Sequence, residues 1–314
     1  MASTTTLGLR AGLTTGRAGA LVRHSTSWVF LLPTLVFFFG WQVYPILRVL
    51  WMSLTNYHFL KNQPAEWVWF QNYAAAFSDP LMWTGLLRAA IFTALFLPGM
   101  IFIPMLLAIL VDRVSHPGLA ATYRLILLIP AVIPGPLIFV LWKWLYNFNI
   151  GPIDHLLVQT RLVTAQTAPQ WLGDPVLTLP AIAIMEVWWG LGYHTMFYLA
   201  GLAAIPRELF EAARVDGANE WRLFWHVTLP RLRPILLVLV VLRFGTAMAV
   251  IDEYLILGGF NRALPTYTWT VYMWDEAFQI GDWFQGYAAA IGWIGAAAML
   301  VVVAFLFYIF RNQD

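Results

Sequence analysis

Residues 206–234 read PRELFEAARVDGANEWRLFWHVTLPRLRP, and nine of these 29 are Arg, Glu or Asp. The whole chain is only 11% charged, so this stretch gathers much of its charge. Within it runs a fixed pattern: Glu211-Ala212-Ala213, three residues, Gly217, nine residues, then Val227-Thr228-Leu229-Pro230. A loop this charged and this helix-prone, set between apolar runs, is more than a connector. Pro206 is placed to start that helix, with Glu208 and Glu211 in its first turns, where the macrodipole favours them. Gly217 is placed to end it, just after Asp216. A second segment, 219–227, brings Trp221, Phe224 and Trp225 to one face at i, i+3 and i+4. Leu229-Pro230 is expected to break this helix before the next apolar run.

Other chemistries find no residues to carry them. The only lysines are Lys61, followed by Asn62, and Lys143, followed by Trp144. Neither closes a Gly-rich G-x-x-x-x-G-K-[ST] loop, so ATP is not held in the P-loop manner. The six histidines (24, 58, 116, 155, 194 and 226) are scattered, and no H-E-x-x-H or G-x-S-x-G occurs. There is no Cys, hence no thiolate metal site and no disulfide framework. A net charge of +2 is too small to suggest nucleic acid. No catalytic set, metal or resident cofactor is expected.

The elements that must position the charged stretch are apolar. The chain is 61% hydrophobic, and soluble domains carry about 25% charged residues, so it reads as an all-α polytopic membrane protein. A spanning helix needs about 20 mostly apolar residues. Six stretches qualify, at about 28–52, 86–111, 123–146, 176–200, 233–257 and 287–310. Prolines inside several of them are tolerated as kinks where neighbouring helices satisfy the freed carbonyls. Residues 1–27 read as a tail. The first apolar run is too long for a secretory h-region and lacks a small-residue cleavage site, so it is expected to be retained.

Basic residues orient the spans. With the N-terminus inside, the inner segments hold Arg10, Arg17, Arg23, Arg113, Arg207, Arg214, Arg222, Arg231 and Arg311, against Lys61, Arg161 and Arg262 outside. Both termini and the charged loop are thus expected in the cytoplasm. The outer loops carry Trp67, Trp69, Phe70, Tyr73, Trp83, Trp171, Trp269, Tyr272, Trp274 and Trp283. These suit an interfacial belt or a docking surface for an extracytoplasmic partner, and residues 66–77 suit a short interfacial helix.

Polar residues inside spans are functional candidates. Glu186 and Arg243 fall at similar depth and are expected to pair. Arg243 and Asp252 lie about 13 Å apart on one straight helix, and Asp252 and Glu253 lie nearer the outer mouth. Trp188, Trp189, Tyr193 and His194 in the fourth span, Tyr254 in the fifth and Trp293 in the sixth offer aromatic faces beside polar groups. Thr246 and Asp252 are weaker candidates.

The Glu211–Pro230 spacing resembles the EAA signature of ABC importer permeases, departing only in Val227 for Ile. Tyr44-Pro45-Ile46, Ser53-Leu54, Asn72-Tyr73, Gly151-Pro152-Ile153, Ala200-Gly201-Leu202 and Asp216-Gly217-Ala218 resemble the carbohydrate-uptake, MalF-like branch. The resemblance covers about 28–310. Gly258-Gly259-Phe260 departs from the Gly-Gly-Gly-Pro-like sequence frequent after the fifth span.

The resemblance implies a six-helix type I importer permease fold. It also implies a second permease subunit, commonly a different chain, two cytoplasmic ATPase subunits that bind Mg-ATP, and an extracytoplasmic solute-binding protein. Glu208, Glu211, Ala212, Ala213, Asp216, Gly217, Leu229 and Pro230 would couple to the ATPases. The cargo would be a sugar or sugar-like solute carried across a prokaryotic plasma membrane. Glycerol phosphate is the alternative, and it would want a more basic path than Arg243 alone offers. An ion-coupled secondary transporter would need inverted repeats or broken helices, and the sequence displays neither.

Overall fold

The computed structural model describes residues 30–61, 64–279 and 284–311. The 1–27 tail with Arg10, Arg17 and Arg23, and Trp283 of the third outer loop, lie outside the described residues. The chain divides into two compact units, Met1–Trp51 and Met52–Asp314. The described chain is mostly helical, its only β pairing an isolated antiparallel bridge between Thr55 and Trp67.

Helix α1 (Phe30–Ser53) is long and apolar enough to cross a bilayer. It passes through a π turn, Phe38–Val43, immediately before Tyr44-Pro45. A proline ring strikes the carbonyl four residues back, and a π turn widens the backbone at that point. The same device recurs below.

In the larger unit, α2 (Gln71–Ser78) is followed by α3 (Pro80–Asp112), a 33-residue helix that begins at an Asp79 cap, whose Oδ1 accepts from Leu81 N–H at 2.8 Å. Pro98 and Pro104 lie inside it. Only the second half of the expected 66–77 helix forms, because Trp67 is held extended in the bridge to Thr55. Asn72 Nδ2 donates to the carbonyls of Ser53 and Thr55, both at 2.9 Å, and Ser53 and Tyr73 hydroxyls bond at 2.7 Å. The paired motifs Ser53-Leu54 and Asn72-Tyr73 are therefore one tie.

The stretch expected as a single span at 123–146 is instead two helices, α4 (Pro117–Val132) and α5 (Gly135–Leu145), bent by 92°. Pro134 explains the break: the residue before a proline is steered out of the helical region, and Ile133 takes ψ 130°. Helices α6 (Pro152–Gln159) and α7 (Thr178–Ala203) follow. Helix α3 packs along α7, and α7 along α4. A Cβ on Gly192 would lie 2.1 Å from the Leu127 carbonyl oxygen, so only glycine permits that approach.

Beyond α8 (Arg207–Val215), α9 (Glu220–Leu223) passes through a second π turn, Phe224–Thr228, into α10 (Leu229–Met248). The expected break at Leu229-Pro230 does not occur. The π turn brackets His226, whose carbonyl the Pro230 ring would otherwise strike, and the helix continues. The expected 233–257 span does break further on, at residues 249–251, before α11 (Asp252–Leu257). Helices α12 (Trp269–Phe278) and α13 (Gln285–Arg311) complete the chain.

Three described helices are long and apolar enough to cross a membrane: Phe30–Ser53, Pro80–Asp112 and Gln285–Ile309, with the bent α4–α5 pair a fourth if taken as one span. Two cores hold the larger unit. One gathers Phe92, Phe96, Tyr254, Trp269 and Ile291. The other gathers Met105, Ala108, Tyr198, Leu202 and Leu232.

Candidate functional site

Two places collect the residues singled out by sequence. The first is the charged loop. Helix α8 ends in a Schellman cap: Ala218 N–H bonds the Ala213 carbonyl at 2.9 Å and Gly217 N–H that of Arg214 at 3.0 Å. Gly217 takes φ +79°, and a Cβ there would meet nothing within 4 Å. The glycine is needed for its backbone conformation, not for space. Asn219 then caps α9, its Oδ1 accepting from Arg222 N–H at 2.9 Å.

Leu209, Phe210, Phe224, Val227 and Leu229 seat the loop on the second core. Glu208, Glu211, Ala212 and Val215 stand at i, i+3, i+4 and i+7 and are all exposed, Val215 at 87%. Val215 was not singled out by sequence, yet its spacing from Glu208 is the signal that would have found it. Ala213 and Pro230 are half-buried, and Asp216 is exposed beside Gly217. Trp221, Phe224 and Trp225 do cluster, Phe224 and Trp225 at 5.2 Å. However, Trp221 is 68% exposed, Trp225 is exposed as well, and only Phe224 reaches the core.

Glu220 accepts from Arg113 at 2.5 Å and lies 3.5 Å from Arg214. Arg113 follows α3, so this network ties the loop to the end of that helix. All three side chains are more than half exposed, and such pairs contribute about 0.2–1 kcal/mol each.

The second place is a cavity of about 460 Å³ lined by Phe92, Phe96, Glu186, Trp189, Arg243, Thr246, Asp252 and Glu253, with the non-helical residues 249–251. Irregular backbone persists where it lines a cavity and its polar groups find partners. Here Trp269 Nε1 donates to the Met248 carbonyl at 2.8 Å and Thr270 Oγ1 to that of Val250 at 2.5 Å. Trp269 is itself wedged between two glycines: a Cβ on Gly85 would sit 2.5 Å from its backbone nitrogen, and one on Gly295 within 2.4 Å of its ring. Close helix packing thereby places the two donors that make the break tolerable.

The expected Glu186–Arg243 ion pair does not form among the described residues, though both line the cavity. Arg243 Nε instead donates to His194 Nε2 at 2.6 Å. His194 Nδ1 lies 2.8 Å from the Gly190 carbonyl. An Nε2 that accepts leaves Nδ1–H to donate, so the two contacts fix one tautomer. Glu253 is Glu186's neighbour within hydrogen-bonding reach, and Glu186 Oε1 is buried without a partner.

Trp188 packs on Trp142 at 5.4 Å, Tyr193 is exposed, and Tyr254 and Trp293 keep a buried hydroxyl and indole N–H without a partner. None of these four lines the cavity. Sequence reasoning placed Glu253 near the outer mouth without choosing it, and it missed Phe92 and Phe96, which carry no polar signal.

Outside these places, Asp79 Oδ2 accepts from Tyr287 at 2.9 Å and also from the Tyr272 hydroxyl. Burial alone would raise the Asp79 pKa, but the Tyr272 hydroxyl, the Leu81 N–H, the Tyr287 hydroxyl and the Arg262 charge together hold it below the ordinary carboxylate value. Tyr267 donates to Asp275 at 2.5 Å, and Arg88 reaches the carbonyls of Tyr267 and Arg262.

Comparison with known proteins places the chain. Residues 73–314 match the family described as "Binding-protein-dependent transport system inner membrane component". A sulfoquinovosyl glycerol transport system permease protein of Agrobacterium fabrum is 30% identical, over 87% of this chain and 86% of that protein. A trehalose/maltose transport system permease protein of Thermococcus litoralis is 29% identical, over 84% and 87%. In three dimensions the chain is similar to a chain of a bacterial ABC transporter involved in the import of the acidic polysaccharide alginate. That match has a TM-score of 0.81 at 24% identity, covering 95% of this chain and 99% of the other.

Proposed function

Because this chain belongs to the family of inner-membrane components of binding-protein-dependent transport systems, we propose that it is the permease subunit of an ATP-driven importer for a sugar or sugar-like solute. The relatives named for sugar and glycoside uptake support that cargo. The observation that carries the mechanism is the charged loop. Its helix α8 is capped at Gly217, seated on the core through Leu209 and Phe210, and bare on the face of Glu208, Glu211, Ala212 and Val215.

A short helix fixed on one side and exposed on the other suits insertion into a groove of a partner. In this reading the partner is a cytoplasmic ATPase subunit, present in two copies, with Mg-ATP bound there and hydrolysis carried out there. Glu208, Glu211 and Asp216 meet basic residues of the groove, while Ala212, Ala213 and Val215 allow close approach. ATP-driven closure of the ATPases moves α8. The motion passes through α9 and the π turn into α10 without interruption, since Leu229-Pro230 lies within one continuous helix. Helix α10 carries Arg243 to the cavity wall.

The chain crosses the membrane six times in this reading, with the bent α4–α5 pair counted once and α10–α11 counted once, and both termini in the cytoplasm. It pairs with a second, similar permease subunit. Solute arrives from an extracytoplasmic binding protein and passes Glu186, Trp188, Trp189, Tyr193, His194, Arg243, Asp252, Tyr254 and Trp293 or a subset of them.

The test is reconstitution in proteoliposomes with the companion permease, ATPases and binding protein. Uptake of labelled disaccharide is expected only when all are present with Mg-ATP. Uptake driven by an ion gradient without ATPase would overturn the reading.

A further inference from the structure

The helix that runs from α9 through the π turn into α10 carries one bare row. Arg222, His226, Pro230, Pro234, Val238 and Leu242 follow at steps of four, and all but the half-buried Pro230 are exposed. Steps of four place side chains on one face. The row changes character at its middle. It is cationic at Arg222 and apolar at Val238 and Leu242, which are 53% and 60% exposed. Arg231 and Arg233 flank it where it changes. Arg233 stands three residues after Pro230 and Arg231 three before Pro234, and positions three apart adjoin on a helix surface.

Arg222, Arg231 and Arg233 are all exposed, and none of them forms an ion pair among the described residues. Glu220 is already taken by Arg113 and Arg214, and no further acid occurs in the chain until Asp252. Beside the cationic half stand Trp221 and Trp225, 68% and 46% exposed, with rings 5.6 Å apart. Indoles at the end of a spanning helix suit headgroup depth. The apolar half, from Pro234 to Leu242, is about 12 Å of helix, which fits within the ~15 Å of hydrocarbon in one leaflet.

An anionic phospholipid matches the row in order. Its phosphate takes guanidinium donors in paired hydrogen bonds, its glycerol lies beside the indoles, and an acyl chain follows Val238 and Leu242. Charge separates this face from that of α8. The carboxylates of α8 suit a basic groove, and the same groove would repel three bare guanidiniums.

We propose that Arg222, Arg231 and Arg233, with Trp225, Val238 and Leu242, form a site for an anionic phospholipid of the leaflet beside the charged loop. The bound lipid holds the start of α10 at headgroup depth while α8 moves, so transport depends on lipid charge. The proposal rests on the permease reading, which takes α10 across the membrane, and adds a lipid requirement to it.

The test is fluorescence quenching in the assembled transporter, permeases with ATPases, in phosphatidylcholine vesicles. Brominated phosphatidylglycerol is added in rising fraction, with brominated phosphatidylcholine as the control. Quenching is expected to saturate at a lower fraction with phosphatidylglycerol. The chain holds 17 Trp, so the signal is assigned by difference: Trp225→Phe is expected to lose the saturable part. Arg222→Gln, Arg231→Gln and Arg233→Gln are each expected to raise the half-saturating fraction about fivefold, the scale of one cation near an anionic leaflet. Arg231→Lys, which keeps the charge, is expected to raise it less than Arg231→Gln. ATPase co-purification is expected to match the parent's throughout. ATP-driven uptake by the parent is expected to rise with the phosphatidylglycerol fraction, and the Arg231→Gln/Arg233→Gln double variant to lose that rise. Each variant is compared at equal recovery of assembled complex.

The proposal is overturned if the two brominated lipids quench alike, if the saturable part survives all three Arg→Gln substitutions, or if inorganic phosphate abolishes it. It is overturned as well if those substitutions release the ATPase, which would give this face to the ATPase. ATP-driven uptake that is indifferent to lipid charge sinks this proposal alone. Uptake by the parent without ATPase sinks the permease reading, and with it the placing of α10.

Discussion

Arg243 Nε donates to His194 Nε2 across the α10–α7 contact at 2.6 Å, and His194 in turn bonds the Gly190 carbonyl one turn back. A chain of hydrogen bonds therefore joins the helix that continues from the charged loop to the helix that carries Glu186. His194 is 1% exposed, so no water replaces it readily. His194→Ala is expected to destabilise the purified protein by about 1–2 kcal/mol, through loss of the bond and an unpaired donor. Arg243→Lys is expected to be similarly harmful, because Lys lacks the planar fork that places Nε. A double-mutant cycle on thermal unfolding checks this. Strict additivity of the two substitutions would show that the bond contributes nothing.

Gly217 sits at φ +79° with open space where a Cβ would go. Gly217→Ala should therefore cost only the left-handed backbone penalty, about 1–2 kcal/mol, and Gly217→Asn less, since Asn tolerates that region. Thermal melts of the two variants in detergent give the order. A variant with bulk equal to Ala but a larger loss would mean that a neighbour crowds the site.

Glu211 is exposed on the bare face of α8. Reversing its charge should leave insertion and folding intact while removing its attraction to a basic groove. Glu211→Lys is expected to lose ATPase co-purification and uptake by more than tenfold. Wild-type recovery of ATPase together with normal transport would rule out the coupling role of this face.

Acid should loosen the hydrogen-bonded cluster at Asp79. Its folded pKa lies below the ordinary value, so the stabilisation is fully present above the unfolded carboxylate pKa and is lost as pH falls through the folded one. Hydrogen exchange at the start of α3 and in α12 is expected to speed up as pH falls into that acidic window, beyond the intrinsic pH dependence. Asp79→Asn should remove the pH effect, and an Asp79→Asn protein with the parent's profile would assign it elsewhere.

Trp269 supplies the indole N–H that caps the Met248 carbonyl at the α10 break. Trp269→Phe keeps much of the ring but removes the donor. It is expected to cost about 1–3 kcal/mol and to lower uptake, because the break shapes the cavity wall. An unchanged melt would show that another group reaches Met248.

The charged loop was the most legible part of the chain in sequence. Gly217, Glu208, Glu211 and the two short helices follow from capping chemistry that acts within a few residues. The Pro230 break failed for a reason of the same range: a π turn absorbs the ring, and nothing in the local residue types distinguishes that outcome from a break. Glu186 and Arg243 were found as charges inside apolar stretches, but the partner of Arg243 was not. Depth along two helices says nothing about rotation around their axes, and it is rotation that turns Arg243 towards His194.

By itself the sequence determined what local residue chemistry can set. That is the apolar stretches, the capped helix with its carboxylate face and the likeness to importer permeases. Tertiary structure alone decided the cavity. Its wall joins Phe92 and Phe96 of α3, Glu186 and Trp189 of α7, and Arg243, Asp252 and Glu253 either side of a break. The break in turn is satisfied by Trp269 and Thr270, twenty residues onward in the chain. Partners so far apart in sequence meet only when helices pack closely enough for glycines such as Gly85 and Gly295 to admit an indole, and no local pattern encodes that approach.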